Sequence, residues 1–280
     1  MSIKITTDST ADLTPELLER YQIEVLPLTI NLGDKGYRDG LEISRDDIFR
    51  HVDAGGDLPK TSAVSVAEFH DCFTRLSPLH EAVINVDIGS KMSACYQNAC
   101  IAAEEFDNVY VIDSGSLSAG QGLVAVAGAI AAASGMEPRA VVEYMKDYAA
   151  RVETTFTVDR LDYLCKGGRC SAVAAMGANL LRLKPCIEAR DGALAVGKKY
   201  RGSFTKALCD YARDRIAGRD DLDLTMCCVA HPDAPREAVE TVMDEIRSLA
   251  PFQEVVEVRC GSTVSSHCGP ATVGIMFAHK

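Results

Sequence analysis

Ser93, His267 and Asp8 are the residues of this sequence whose types could together do chemistry. A serine, a histidine and an aspartate form a hydrolytic relay wherever geometry brings them together, whatever their order in the chain. Each is expected in a loop at a strand end. Ser93 lies in NVDIGSKMSACYQNA (85–99), where β-branched residues give way to Gly89 and Ser90 and then to helix formers from Ala94. That places Ser93 as the N-cap of the helix that follows. The free N–H groups of such a helix end, with the positive end of its dipole behind them, suit an anion. Ser93 therefore has three readings: a cap for its own helix, an anion contact, or a nucleophile. A nucleophilic serine usually sits on a sharp Gly-flanked turn, which is missing here, and no G-x-S-x-G occurs. A histidine in a polar loop such as SSHCG (265–269) is more often a simple hydrogen-bond donor than a general base. Asp8 and Asp113 read as turn formers whose carboxylates bond their own backbone.

Two nucleotide motifs nearly form. GALAVGKK (192–199) has the glycines and lysine of a phosphate loop, but Lys199 replaces the required Ser or Thr. It also lies on the second strand of a hairpin, whereas a phosphate loop joins a strand to a helix. GQGLVA (120–125) resembles a dinucleotide fingerprint, yet its glycines come well after the preceding strand ends and suit tight helix packing instead. The eleven cysteines include no C-x-x-C pair; Cys165 and Cys170 are separated by four residues, two of them glycines, and Cys227 and Cys228 are adjacent. Such spacing argues against structural zinc and for free thiols acting as small core hydrophobes.

The elements that must position these residues alternate. Strand-like runs at 3–8, 23–32, 81–88 and 108–113 are separated by segments with helical caps or periodicity, including one opened by Ser44 and another over 67–76. A long apolar helix (123–133) and an amphipathic one (138–152) follow. Beyond them come a strand and short helix (155–171), a hairpin turning at Asp191-Gly192, a helix over 203–216, a strand over 223–231, a helix after Asp233, a strand over 254–260 and a terminal strand. This pattern predicts an α/β fold with helices on both sheet faces and ligands at the carboxyl ends of strands, where TDST (7–10), SKMS (90–93) and DSGS (113–116) fall. A domain boundary is expected near 153, giving an N-terminal α/β domain (1–153) and a C-terminal one (154–280); the last strand could join either sheet. Net charge of −11 argues against a nucleic-acid protein. No segment is long and apolar enough to span a bilayer, and MSIKITTDST has no signal-peptide character. With an odd number of cysteines, these features predict a reducing, cytoplasmic setting.

The ordered set TDST, YRDG, TSAVS, SKMSACYQNA, VIDSGS, DRLDYLCKGGRCS, KPCIEARDGALAVGKKYRG and SHCGPATVG closely resembles the DegV family of bacterial fatty-acid-binding proteins, from about residue 3 to the end. The resemblance implies two α/β domains of the DegV type with a lipid site between or within them. It implies a non-catalytic lipid-binding subunit that presents a long-chain fatty acid to a separate ATP-dependent fatty acid kinase, which makes the acyl phosphate. The family's carboxylate contacts fall on Thr61, Ser93 and His267, with Ser62 beside Thr61; Arg169 and Arg201 match positions expected to face a phosphate or the partner. No metal or cofactor is implied. Ala94-Cys95 stands where the family commonly has Gly-Thr, and Ala271 where a second Gly follows GP, so pocket shape is left open.

Physical chemistry fits that expectation. A fatty acid needs an apolar tunnel, which an aliphatic, Trp-free interior can leave, and a polar end for a carboxylate that cannot be buried unpaired. Hydroxyls and an imidazole supply donors without locking the oxygen in a bidentate arginine clamp, so it stays able to attack ATP. The alternatives from other classes are a Ser/His acyl hydrolase and a lipid-sensing regulator.

Overall fold

The computed structural model describes residues 2–158, 161–169 and 183–280. In the first part, β1 (Ile3–Asp8) passes through a one-turn 3-10 helix (Ser9–Ala11) to α1 (Pro15–Tyr21), β2 (Glu24–Leu26), β3 (Thr29–Leu32), β4 (Lys35–Arg38), α2 (Arg45–Asp53) and β5 (Lys60–Ser62). Next come α3 (Val66–Leu76), β6 (Ala82–Asp87), α4 (Cys95–Ala103), β7 (Val109–Asp113), α5 (Ala119–Ala133) and α6 (Pro138–Arg151). The later part holds β8 (Val152–Val158), α7 (Asp162–Gly167), β9 (Leu183–Arg190), β10 (Ala193–Arg201), α8 (Phe204–Ile216) and β11 (Leu222–His231). It ends with α9 (Arg236–Leu249), β12 (Glu254–Arg259), α10 (Ser262–Cys268) and β13 (Thr272–His279).

These strands form three sheets. A parallel one runs β2-β1-β6-β7, a small antiparallel one β4-β3-β5, and a mixed one β10-β9-β8-β13-β11-β12. The strand expected over 23–32 is broken at Pro27: its first piece pairs with β1, its second with β4 and β5. Proline has no N–H for a ladder, so it marks the change of sheet. The stretches around YRDG and TSAVS supply β4 and β5. The terminal strand joins the large sheet between β8 and β11. A division near 153 is proposed on the ground that the large sheet draws only on strands from Val152 onward.

The apolar helix α5 joins the sheets, packing on β1 and β6 of one and on β8, β11 and β13 of the other. Gly120 is needed there, because a Cβ would fall 1.9 Å from Thr154 Oγ1; the GQG glycines serve close packing. The GALAVGKK run lies along β10 after a turn in which Asp191 and Gly192 both have positive φ. That turn twists with the strands it joins. Seven of the cysteines among the described residues are buried; Cys170 lies outside those residues. Among the described residues no group of three His, Cys, Asp or Glu side chains is placed to hold a metal, and no helix is long and apolar enough to cross a membrane.

Candidate functional site

A cavity of about 280 Å³ opens at the carboxyl ends of β1 and β6. Leu28, Ile88, Met92, Leu117, Leu164 and Leu194 give it apolar walls, and Thr61, Ser93, His267 and Arg169 gather in its lining. These come from four distant places: β5, the β6–α4 loop, α10 and the residues just after α7.

Thr61 reaches the cavity because strand side chains alternate. The same alternation turns Ser62 away: it is exposed and its hydroxyl accepts from Asn31 Nδ2 at 3.0 Å, so it does not join Thr61 in the lining. Ser93 is not the N-cap. The helix starts two residues later, Ala94 occupies the cap position, and Ser93 Oγ accepts from Cys95 N–H at 3.3 Å in a local turn. His267 is not in a loop but in the last turn of α10. Its Nε2 lies 2.9 Å from Thr61 Oγ1, while Nδ1 is buried without a hydrogen-bond partner among the described residues. Burial, with the Arg169 charge nearby, lowers its pKa to about 4, so the ring is neutral at pH 7. Gly167 admits the ring: a Cβ there would sit 2.6 Å from Nδ1.

Arg169 is exposed at the cavity edge and donates to the Gly167 carbonyl at 2.9 Å. Arg201 lies elsewhere, in an open depression with Lys198, Lys199 and Lys206. The hydrolytic relay does not assemble. His267 bonds Thr61 rather than Ser93, and Asp8 accepts from Thr10 N–H and Ile88 N–H, each at 2.8 Å. Asp8 thereby ties the loops after β1 and β6 together; burial raises its pKa and drives that of neighbouring Asp87 well above the usual range. Asp113 likewise accepts from Gly115 N–H at 2.9 Å and from Ser90 N–H at 3.1 Å.

Two further carboxylates matter that the sequence did not single out. Asp39, of the YRDG stretch, accepts from Ser262 N–H at 2.8 Å and Thr263 N–H at 3.2 Å, and Asp12 accepts from Gly261 N–H at 2.7 Å. Both are buried. Together they satisfy the opening N–H groups of α10, the helix that carries His267, Thr263 and Val264 to the cavity. Burial, and then the charge of Asp39, raise the Asp12 pKa to about 7, against the lowering effect of the Ser118 hydroxyl. Thr10, from the TDST stretch expected at a ligand-bearing strand end, and Thr263, which lies in no such stretch, also line the cavity. The only local sign of the clamp was YRDG itself, whose Asp39 acts 223 residues away.

The chain has relatives. The pattern of the DegV family, a family described as uncharacterised, matches residues 2–280. A DegV domain-containing protein of Clostridium acetobutylicum is 29% identical, with 99% of each chain covered. Protein DegV of Bacillus subtilis is 27% identical with full coverage of both. Among solved structures, a DegV family protein from Thermus thermophilus, described for its fatty acid binding, superposes with a TM-score of 0.91 at 29% identity over the whole of both chains. A stearic-acid-binding protein from Eubacterium ventriosum superposes with a TM-score of 0.84 at 28% identity, covering 99% of this chain and 98% of that one. With the whole fold and nearly the whole sequence matched, the chain belongs to the DegV family.

Proposed function

We propose that this protein binds a long-chain fatty acid in the cavity, with the carboxylate at Thr61, Ser93 and His267 and the tail among the leucines. The observation that carries this is the cavity's two-sided chemistry: neutral hydrogen-bonding groups and one arginine at its polar end, aliphatic walls elsewhere. Each methylene removed from water contributes about 0.8 kcal/mol, so a long tail supplies on the order of 10 kcal/mol before ordering costs. With its proton on Nε2, neutral His267 donates to Thr61 Oγ1 and leaves the threonine hydroxyl proton free for the carboxylate. The family resemblance and the fatty-acid-binding relatives support the same ligand.

The protein does no chemistry of its own in this proposal. It acts in the cytoplasm and presents the carboxylate to a separate ATP-dependent fatty acid kinase, with Arg169 at the cavity edge facing the phosphate and Arg201, apart from the cavity, facing the partner. Donors that are mostly uncharged leave the carboxylate oxygen nucleophilic. Reconstitution tests this: fatty acid, ATP and a bacterial fatty acid kinase should yield acyl phosphate only when this protein is added. Equal yield without it would refute the carrier role. Hydrolysis of a chromogenic acyl ester that disappears in Ser93→Ala would move the assignment to a hydrolase.

A further inference from the structure

Ser93 and Ala94 line the cavity, and the next residue, Cys95, is fully buried and opens α4. Cys95 meets the Ser93 hydroxyl twice. Its backbone N–H donates to Ser93 Oγ at 3.3 Å, and its sulfur accepts the Ser93 hydroxyl proton, also at 3.3 Å. One helical turn later Asn98 Nδ2 donates to the Val64 carbonyl at 2.7 Å, and Val64 packs in the same apolar cluster as Cys95 and Met92. The first turn of α4 thus holds both the Ser93 loop and the stretch that follows Thr61. Sulfur is a weak acceptor, so the Ser93 proton is held loosely. Burial, and then the charge of Asp8, hold the thiol far above its usual range against the lowering effect of Ser93, so the sulfur keeps its own proton.

We infer that Cys95 is the positioning residue of Ser93: its sulfur receives the Ser93 hydroxyl proton, and its S–H donates in return to Ser93 Oγ when that proton turns to the bound carboxylate. The inference rests on the fatty-acid reading of the cavity, with the carboxylate at Ser93. Ser93 Oγ then accepts from the N–H and the S–H of Cys95 and donates outward, so its full hydrogen-bonding capacity is used. His267 stands behind Thr61 in the same way, a neutral group 2.9 Å from the hydroxyl it orients. Cys95→Ala leaves Ser93 Oγ with the backbone N–H alone and no return donor. Cys95→Ser keeps both roles at nearly the same size.

The test is displacement of a fluorescent fatty acid by palmitic acid from wild type, Cys95→Ala, Cys95→Ser, Ser93→Ala and the double variant Ser93→Ala/Cys95→Ala. Cys95→Ala should bind palmitic acid about three- to tenfold more weakly, the effect of losing one net hydrogen bond. Cys95→Ser should stay within about twofold of wild type. With Ser93 already replaced, Cys95→Ala should weaken binding by less than about twofold more, because the group it positions is gone. Equal losses in the two backgrounds would make Cys95 a packing residue only and overturn the inference. Wild-type affinity in folded Cys95→Ala would overturn it too, as would Cys95→Ser binding as weakly as Cys95→Ala. Should Cys95→Ala fail to fold, Cys95→Val fills the space without a polar atom and takes its place in the same cycle. A wild-type protein that takes up no acid at all would overturn the fatty-acid reading together with the inference.

Discussion

Asp39→Ala is the substitution whose cost the geometry predicts most directly. The carboxylate accepts from two buried backbone N–H groups at the start of α10, at 2.8 and 3.2 Å, and from the Ser9 hydroxyl at 3.0 Å. Removing it leaves both N–H groups without a partner. Each buried unpaired donor costs about 1–3 kcal/mol, so the loss from the two should be about 2–6 kcal/mol. Asp12→Asn is the natural contrast. Asp12 is already raised to about 7, so its neutral form is well populated at neutral pH. An asparagine oxygen can keep the bond from Gly261 N–H, and the Ser118 hydroxyl can reverse to accept from the amide. Its cost should stay below about 1 kcal/mol. Denaturant unfolding of both variants at pH 7 measures the difference, provided the slopes agree. Asp39→Ala should also weaken lipid uptake, because α10 carries His267 to the cavity. A loss under about 1 kcal/mol for Asp39→Ala, or equal losses for the two variants, would refute the clamp.

Other outcomes follow from the same contacts. Thr61→Val should lower fatty-acid affinity about tenfold through one lost hydrogen bond of about 1–1.5 kcal/mol, while Ser62→Ala should change neither binding nor stability; isothermal titration separates them. Gly167→Ala should destabilise by about 1–3 kcal/mol and displace His267, seen as a lower melting temperature and weaker uptake. Stability should carry two opposed pH dependences. His267 is depressed from 6.5 to about 4 on folding, so the unfolded chain binds more protons between those values and stability, present above pH 6.5, is lost as pH falls toward 4. Asp12 is raised from 3.8 to about 7, so the folded chain binds more protons and stability falls as pH rises across that interval. Relative to wild type, stability from urea unfolding between pH 4 and 7 should therefore fall more steeply with rising pH in His267→Asn, by up to about 3 kcal/mol, and less steeply in Asp12→Asn, by up to about 4 kcal/mol. Parallel profiles in the two variants would contradict the assignment.

Much of the framework was legible because its signals are local. β1, β6 and β7 announce themselves as short β-branched runs ending in Asp, and the Asp191-Gly192 pair fixes the hairpin through its positive φ angles. Ser44 and Ser65 open helices with complete capping boxes. What escaped was decided by distant contacts. The segment STVSSHC is made largely of poor helix formers, and it forms α10 because Asp12 and Asp39 cap it from the other end of the chain. β4 and β5 are short, mostly exposed strands that pair only because Pro27 redirects the chain into β3. Ser93 looked like a cap from its type, but the backbone begins the helix at Cys95 and leaves the serine in the cavity lining. The family motifs pointed to Thr61, Ser93, His267 and Arg169, which the fold brings to one cavity. They gave no indication that Ser62 turns outward or that Arg201 lies apart.

Native mass spectrometry of the purified protein tests the central claim most directly. A noncovalent adduct with the mass of a long-chain fatty acid is predicted, released on denaturation and diminished in both Thr61→Val and Ser93→Ala. A protein that is empty as purified, and that stays empty after incubation with added fatty acid, would contradict it.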